Sequence, residues 1–274
     1  MHFIPTAQIF TLRKYTQTPE DLAMCFRRLA EMGFPAVQLS MISPKIPADF
    51  ITSLRQEYGL DICVTHTPLN RIFNDLPAVI QEHKAWNCPL VGLGNPPERY
   101  TDLGYDGYAR LVEDLRPAVA QLKENGMKFA YHSHCHEFQR SPSGRLVYDM
   151  LIEDTDPEAF TFIQDTFWMR YGGLNHLKYI EKVKGRMDVL HVKDFTLATD
   201  LLGNVVGGTG TLGEGNIDYA PILRTCRQAG VRYLAIEQDY CSRDPFDCMS
   251  DALTWLNRLI EENERETAVQ EAQL

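Results

Sequence analysis

The sequence predicts an α/β protein: a single-domain (β/α)₈, or TIM, barrel spanning residues 1–274, with a polar C-terminal tail at about 261–274. Three observations carry this. Eight short apolar runs alternate with eight stretches of helical periodicity, and strands separated by helices run parallel, because each crossover returns the chain to the same end of the sheet. Eight such units in 274 residues have the size of a closed barrel. No linker or low-complexity segment divides them.

The elements follow in order. A first strand is expected at 6–12, then a helix from 19 to about 32, with Thr18 as N-cap, Pro19 at its first position and Gly33 beyond its end. Strands at 35–40 and 61–68 flank a helix at 48–58. A helix at 76–86 leads to a strand at 89–96, and a long helix covers about 105–125. The fifth strand is KFAYHSHCHEF (128–138). After a short helix at 147–153, strands at 160–165, 188–193 and 233–237 alternate with helices at 174–184 and 217–229. A glycine-rich loop is expected at 196–216, and a final amphipathic helix from 245 to about 264, with a tail that is frayed or packed on a neighbour.

Composition narrows the function classes. A net charge of −10 disfavours a nucleic-acid or anionic-membrane surface, and no apolar run approaches the roughly 20 residues that cross a bilayer. The seven cysteines (25, 63, 88, 135, 226, 241 and 248) form no CxxC pair, and the start reads directly as mature sequence. A reduced, cytoplasmic protein is expected.

The last four strands each end in side chains that bind metals: Glu137, Asp165, His191 and Glu237. Reactive groups of such barrels collect at the C-terminal strand ends. Converging carboxylates repel and raise one another's pKa unless a cation joins them. Two glutamates, an aspartate and a histidine suit Mn²⁺, Mg²⁺, Co²⁺ or Zn²⁺. Taken singly, each could instead be a solvated loop residue.

The motifs YHSHCHEF (131–138), FIQDTFW (162–168), HVKD (191–194), GEG (213–215) and EQD (237–239) resemble those of the sugar phosphate isomerase/epimerase family, barrels similar to xylose isomerase. The resemblance spans nearly the whole chain and implies one divalent metal ion held by Glu137, Asp165, His191 and Glu237, with the two glutamates on opposite sides of a sugar or sugar phosphate. Ser133 and Cys135 stand where many relatives carry Asn and Asp. Such a site suits proton abstraction next to a carbonyl, with the metal as Lewis acid and Glu137 and Glu237 as the catalytic proton carriers. Isomerisation, epimerisation or, by loss of water or an aglycone, a lyase reaction would follow from the same intermediate.

Strict alternation places His132, His134 and His136 on one face and Glu137 on the other. They meet only if the strand ends near His134 and the chain turns, and His134 is then expected in the site as base or substrate ligand. His132 reads as a residue inside the barrel and His136 as peripheral. A histidine-rich zinc site that leaves Glu137 out is the rival arrangement. His66, Lys193 and Trp168 are candidate substrate contacts, with Gln8 and Gln38 weaker ones. Residues 208–213 match GxGxxG but lack the flanking strand and helix of a dinucleotide site, so a flap is expected there.

A metal-dependent sugar isomerase or epimerase is the leading expectation and a keto-sugar or 3-oxo-glycoside lyase the runner-up. An endonuclease IV-like repair enzyme and a non-catalytic sugar binder follow. The partner is a small molecule, with no nucleic acid or membrane, and a homo-oligomer is compatible.

Overall fold

The computed structural model describes residues 2–200 and 202–272. Ten strands are present among the described residues: β1 (Ile4–Gln8), β2 (Ala36–Leu39), β3 (Asp61–Thr65), β4 (Leu90–Leu93), β5 (Lys128–His132), β6 (Phe160–Asp165), β7 (Val189–Val192), β8 (Asp194–Thr199), β9 (Val205–Gly210) and β10 (Tyr233–Ile236). Eight of them pair in parallel in the order β3-β2-β1-β10-β7-β6-β5-β4. The Thr67 amide donates to Gly92 O at 2.7 Å across the remaining seam, between the ends of β3 and β4. Glycine is needed there, since a Cβ on Gly92 would stand 2.1 Å from Thr65 O. The predicted barrel is therefore present and nearly closed.

Helices cover it: α1 (Pro19–Met32), α2 (Ala48–Tyr58), α3 (Leu69–Asn74), α4 (Leu76–Ala85), α5 (Glu98–Thr101), α6 (Gly104–Glu124), α7 (Val147–Glu153), α8 (Thr166–Tyr171), α9 (His176–Lys182), α10 (Tyr219–Ala229) and α11 (Pro245–Ala272). Local chemistry sets their ends. Thr18 accepts from the Asp21 amide at the start of α1, and Gly33 closes it at φ 93°. The main apolar core lies between barrel and helices. A second cluster, including Val64, Leu90, Ala130, Ile163, Val189 and Ala235, belongs to the strands alone and plugs the barrel interior.

Three expectations are corrected and one is met. The first strand ends at Gln8, whose side chain accepts from the Phe10 amide and starts a 3₁₀ helix over Ile9–Tyr15. The turn expected near His134 is present: the fifth strand stops at His132 and the chain re-forms as a 3₁₀ helix at His136–Phe138. The glycine-rich loop contains an antiparallel hairpin, β8 with β9. The tail expected to fray is helix through Ala272; residues 273–274 lie outside the described residues.

Candidate metal centre and catalytic cavity

The apolar plug and the polar site share one alternation. Ala130, Ile163, Val189 and Ala235 face inward, so two residues further along each strand direction His132, Asp165, His191 and Glu237 come inward as well. Strand register aligns them, with Asp165 opposite His191 and His191 opposite Ala235. One ligand atom from each of the four lies within 4.8 Å of the others, and all four residues are buried.

The bonds around these groups decide which atoms face the common point. A carbonyl oxygen only accepts, so His132 Nδ1 donates to Gly94 O at 3.1 Å, and Nε2 is buried and without a hydrogen-bond partner. His191 Nε2 donates to Gln38 Oε1 at 2.8 Å, turning Nδ1 to the site. Gln38 in turn donates through Nε2 to His66 Nε2. Asp165 divides its carboxylate: Oδ1 accepts from the Trp168 amide and caps α8, while buried Oδ2 has no hydrogen-bond partner. That oxygen stands 3.5 Å from His132 Nε2 and 3.8 Å from both His191 Nδ1 and Lys193 Nζ.

These separations are long for hydrogen bonds. Those between Asp165 and the two imidazoles suit atoms that share a cation at about 2.0–2.2 Å each. Two imidazoles, each anchored through its other nitrogen to a carbonyl oxygen, is the second-layer arrangement that metal-binding histidines adopt. The residues therefore fit a divalent ion.

Electrostatics point the same way. Burial opposes charge on His191, but Glu237 and Asp165 outweigh it and raise its pKa, with a 2.9 Å contact from Nδ1 to Glu237 Oε2. Burial would push the Asp165 carboxyl up, yet Lys193, His132 and His191 hold it well below the usual range. Glu237 is lowered in the same way, chiefly by Lys193 and His191. Lys193 donates to Asp239 Oδ1 at 2.7 Å, and neighbouring carboxylates keep its pKa raised despite burial.

Glu137 is the main correction among the expected site residues. It is buried but faces outward, not toward the common point. Oε1 accepts from the Tyr131 hydroxyl at 2.6 Å and the Tyr108 hydroxyl at 2.9 Å, and Oε2 accepts from the His134 amide at 2.8 Å. Tyr131, one residue before His132, points to the helix layer by alternation and takes Glu137 with it. His132, read from sequence as a barrel-interior residue, occupies the place assigned to Glu137. Alternation along 132–137 sets Glu137 on the face opposite His132, and Tyr131 and Tyr108 are the residues that hold it there.

Above the group opens a cavity of about 590 Å³, lined by Phe10, Arg13, His66, His134, Trp168 and Lys193 among others. His134 brings a buried Nδ1 without a partner, and its ring lies 5.2 Å from that of Trp168. Burial and the neighbouring His132 hold its pKa well below 6.5, so the ring is neutral near pH 7. Trp168 Nε1 is likewise buried and unpartnered. His66 packs against His132 and His191 at 5.1 and 5.7 Å. His136 is exposed and takes no part. The GxGxxG stretch lies in β9 and the turn after it, where the Asp194 carboxylate accepts from the amides of Gly213 and Gly215.

Known proteins resemble this chain along most of its length. An inosose dehydratase of Geobacillus kaustophilus is 24% identical over 271 residues, covering 85% of each chain. Among solved structures, a sugar phosphate isomerase/epimerase from Parabacteroides distasonis superposes with a TM-score of 0.75 at 18% identity, covering 93% of this chain and 94% of that one. A protein from Mycobacterium smegmatis, solved in complex with magnesium, superposes with a TM-score of 0.70 at 14% identity, covering 95% and 97%. Among the described residues no helix is long and apolar enough to cross a membrane. A sequence model matches residues 26–259, and the chain belongs to the xylose isomerase-like TIM barrel family.

Proposed function

We propose that this protein is a divalent-metal-dependent lyase that removes water, or an equivalent leaving group, from a cyclic keto-polyol. The observation that carries this reading is the division of labour around β5: Glu137 is turned away, while the neutral imidazole of His134 lines the cavity. An epimerase working with Glu137 and Glu237 on opposite faces needs the first of these carboxylates in the site. A one-sided elimination does not. The similarity to an inosose dehydratase supports the same choice.

A divalent cation held by His132, Asp165, His191 and Glu237 would act as a Lewis acid toward the substrate's carbonyl. His134 takes the proton from the carbon next to that carbonyl. As the electron pair forms the new double bond, the hydroxyl on the following carbon departs, and His134 returns the proton to it on the same face, so one water is lost. Lys193 stays charged and steadies the negative charge that develops on oxygen. Trp168 and His66, which line the cavity, orient the ring.

The test is incubation of the Mn²⁺- or Co²⁺-loaded protein with 2-keto-myo-inositol in D₂O, followed by mass spectrometry. A product lighter by one water is expected. Deuterium incorporation with no loss of water would identify an isomerase or epimerase instead, and no reaction of either kind would remove the keto-polyol assignment.

A further inference from the structure

A chain of hydrogen bonds runs from the candidate metal-binding group to the wall of the cavity. His191 Nε2 donates to Gln38 Oε1 at 2.8 Å, Gln38 Nε2 lies 2.8 Å from His66 Nε2, and His66 Nδ1 lies 3.2 Å from Ser40 Oγ. Gln38 is fully buried, and Ser40 and His66 line the catalytic cavity. Among the described residues the Ser40 hydroxyl makes no other hydrogen bond. Strands β2 and β6 stand opposite one another in the eight-strand order, so Ser40, just past β2, lies across the mouth from Trp168, just past β6.

The direction of each donor in this chain is set at its metal end. A cation on His191 Nδ1 occupies that lone pair, so the ring proton sits on Nε2 and needs an acceptor. Of the two ends of the Gln38 amide only Oε1 can accept. Its amino group is then turned to His66 and must donate, so His66 Nε2 holds a lone pair and the His66 proton sits on Nδ1. Ser40 Oγ accepts that proton's hydrogen bond, and its own proton remains for the cavity. Both His66 nitrogens are engaged, so this ring transmits a direction and does not act as a base.

We infer that Ser40 is a specificity-determining residue that donates its hydroxyl to an oxygen of the substrate ring on the side away from Trp168, and that Gln38 is the positioning residue that sets this polarity through His66. This rests on the keto-polyol reading and adds one recognised oxygen to it. A ring lacking that oxygen leaves a buried donor unmatched and is rejected.

Carbon-13 shifts of the His66 ring, assigned by their disappearance in His66→Phe, report which nitrogen carries the proton and need no substrate. In Zn²⁺-saturated protein at about pH 8 the Nδ1–H form is expected, and the Nε2–H form would overturn the relay. Gln38→Glu presents a carboxylate that only accepts, so the His66 proton should move to Nε2 and the Ser40 hydroxyl should turn to Nδ1. In Mn²⁺-loaded protein Ser40→Ala should raise KM for 2-keto-myo-inositol about fivefold to tenfold with kcat within about twofold, as expected for one neutral hydrogen bond made alike to substrate and transition state. Gln38→Glu should raise KM by a similar factor and the double variant no further. An unchanged KM in Ser40→Ala, or effects that multiply in the double variant while thermal midpoints show folded protein, would overturn the assignment of Ser40. The Nδ1–H form together with no turnover of 2-keto-myo-inositol would overturn the keto-polyol reading, and the substrate contact with it, but not the relay.

Discussion

Tyr131 donates its hydroxyl to Glu137 Oε1 at 2.6 Å, and through that bond a carboxylate next to three histidines becomes part of the framework and not of the candidate metal-binding group. The Tyr108 hydroxyl and the His134 amide complete its shell. Glu137→Ala strands three buried donors, each worth roughly 1–3 kcal/mol when unsatisfied. A loss of about 3 kcal/mol or more in unfolding free energy is expected in urea denaturation, while elemental analysis still finds about one divalent ion per chain.

Asp165→Asn separates cap from ligand. The amide oxygen can still accept from Trp168 N, so α8 should keep its start. The charge on the side facing His132 and His191 disappears, and divalent-ion affinity should fall by more than about 100-fold, beyond what loss of a supporting contact produces. Calorimetric titration with Mn²⁺ checks this, and unchanged affinity would place the ion elsewhere.

His191 gives the metal-free protein a pH signature. Its pKa lies above the ordinary 6.5 because Glu237 and Asp165 outweigh burial. A raised histidine pKa stabilises the fold fully below the unfolded value, and that contribution disappears as pH rises through the folded one. Thermal midpoints of chelator-treated protein should therefore drop on going up through that window. A metal must displace the Nδ1 proton, so titrations in buffers of different ionisation enthalpy should show about one proton released on the acidic side of that pKa. Saturation with metal should abolish the slope.

Lys193 is the built-in cation of the cluster, 2.7 Å from Asp239 and 3.8 Å from both Asp165 and Glu237. Lys193→Met leaves buried carboxylates short of a partner, which costs roughly 3–5 kcal/mol for a broken buried pair. The metal-free variant should lose most of that stability and the Mn²⁺-saturated one distinctly less. Equal losses with and without metal would mean that the two cations do not share these carboxylates.

Much of the fold and part of the site were legible in the chain. The alternation of short apolar runs with helical periodicity, punctuated by residues such as Thr18 and Gly33, specified eight βα units, because those signals are local. Asp165, His191 and Glu237 could be chosen because each closes a short apolar run at a strand end. The hairpin at 194–210 was not legible. Its glycines suggest a loop, whereas the fold is secured by the Asp194 carboxylate, which accepts from the amides of Phe195, Gly213, Gly215 and Ile217.

What the sequence determined by itself was therefore the barrel and the rim at which its acidic and imidazole groups gather, since both depend on spacing along a strand. The tertiary structure alone decided which atoms at that rim meet. Tyr108, 29 positions before Glu137 in the chain, helps hold that carboxylate in the helix layer, and Gly94 and Gln38, on other strands and loops, rotate His132 and His191 toward Asp165 and Glu237. Hydrogen bonds between distant segments fix side-chain direction, and no local pattern encodes them.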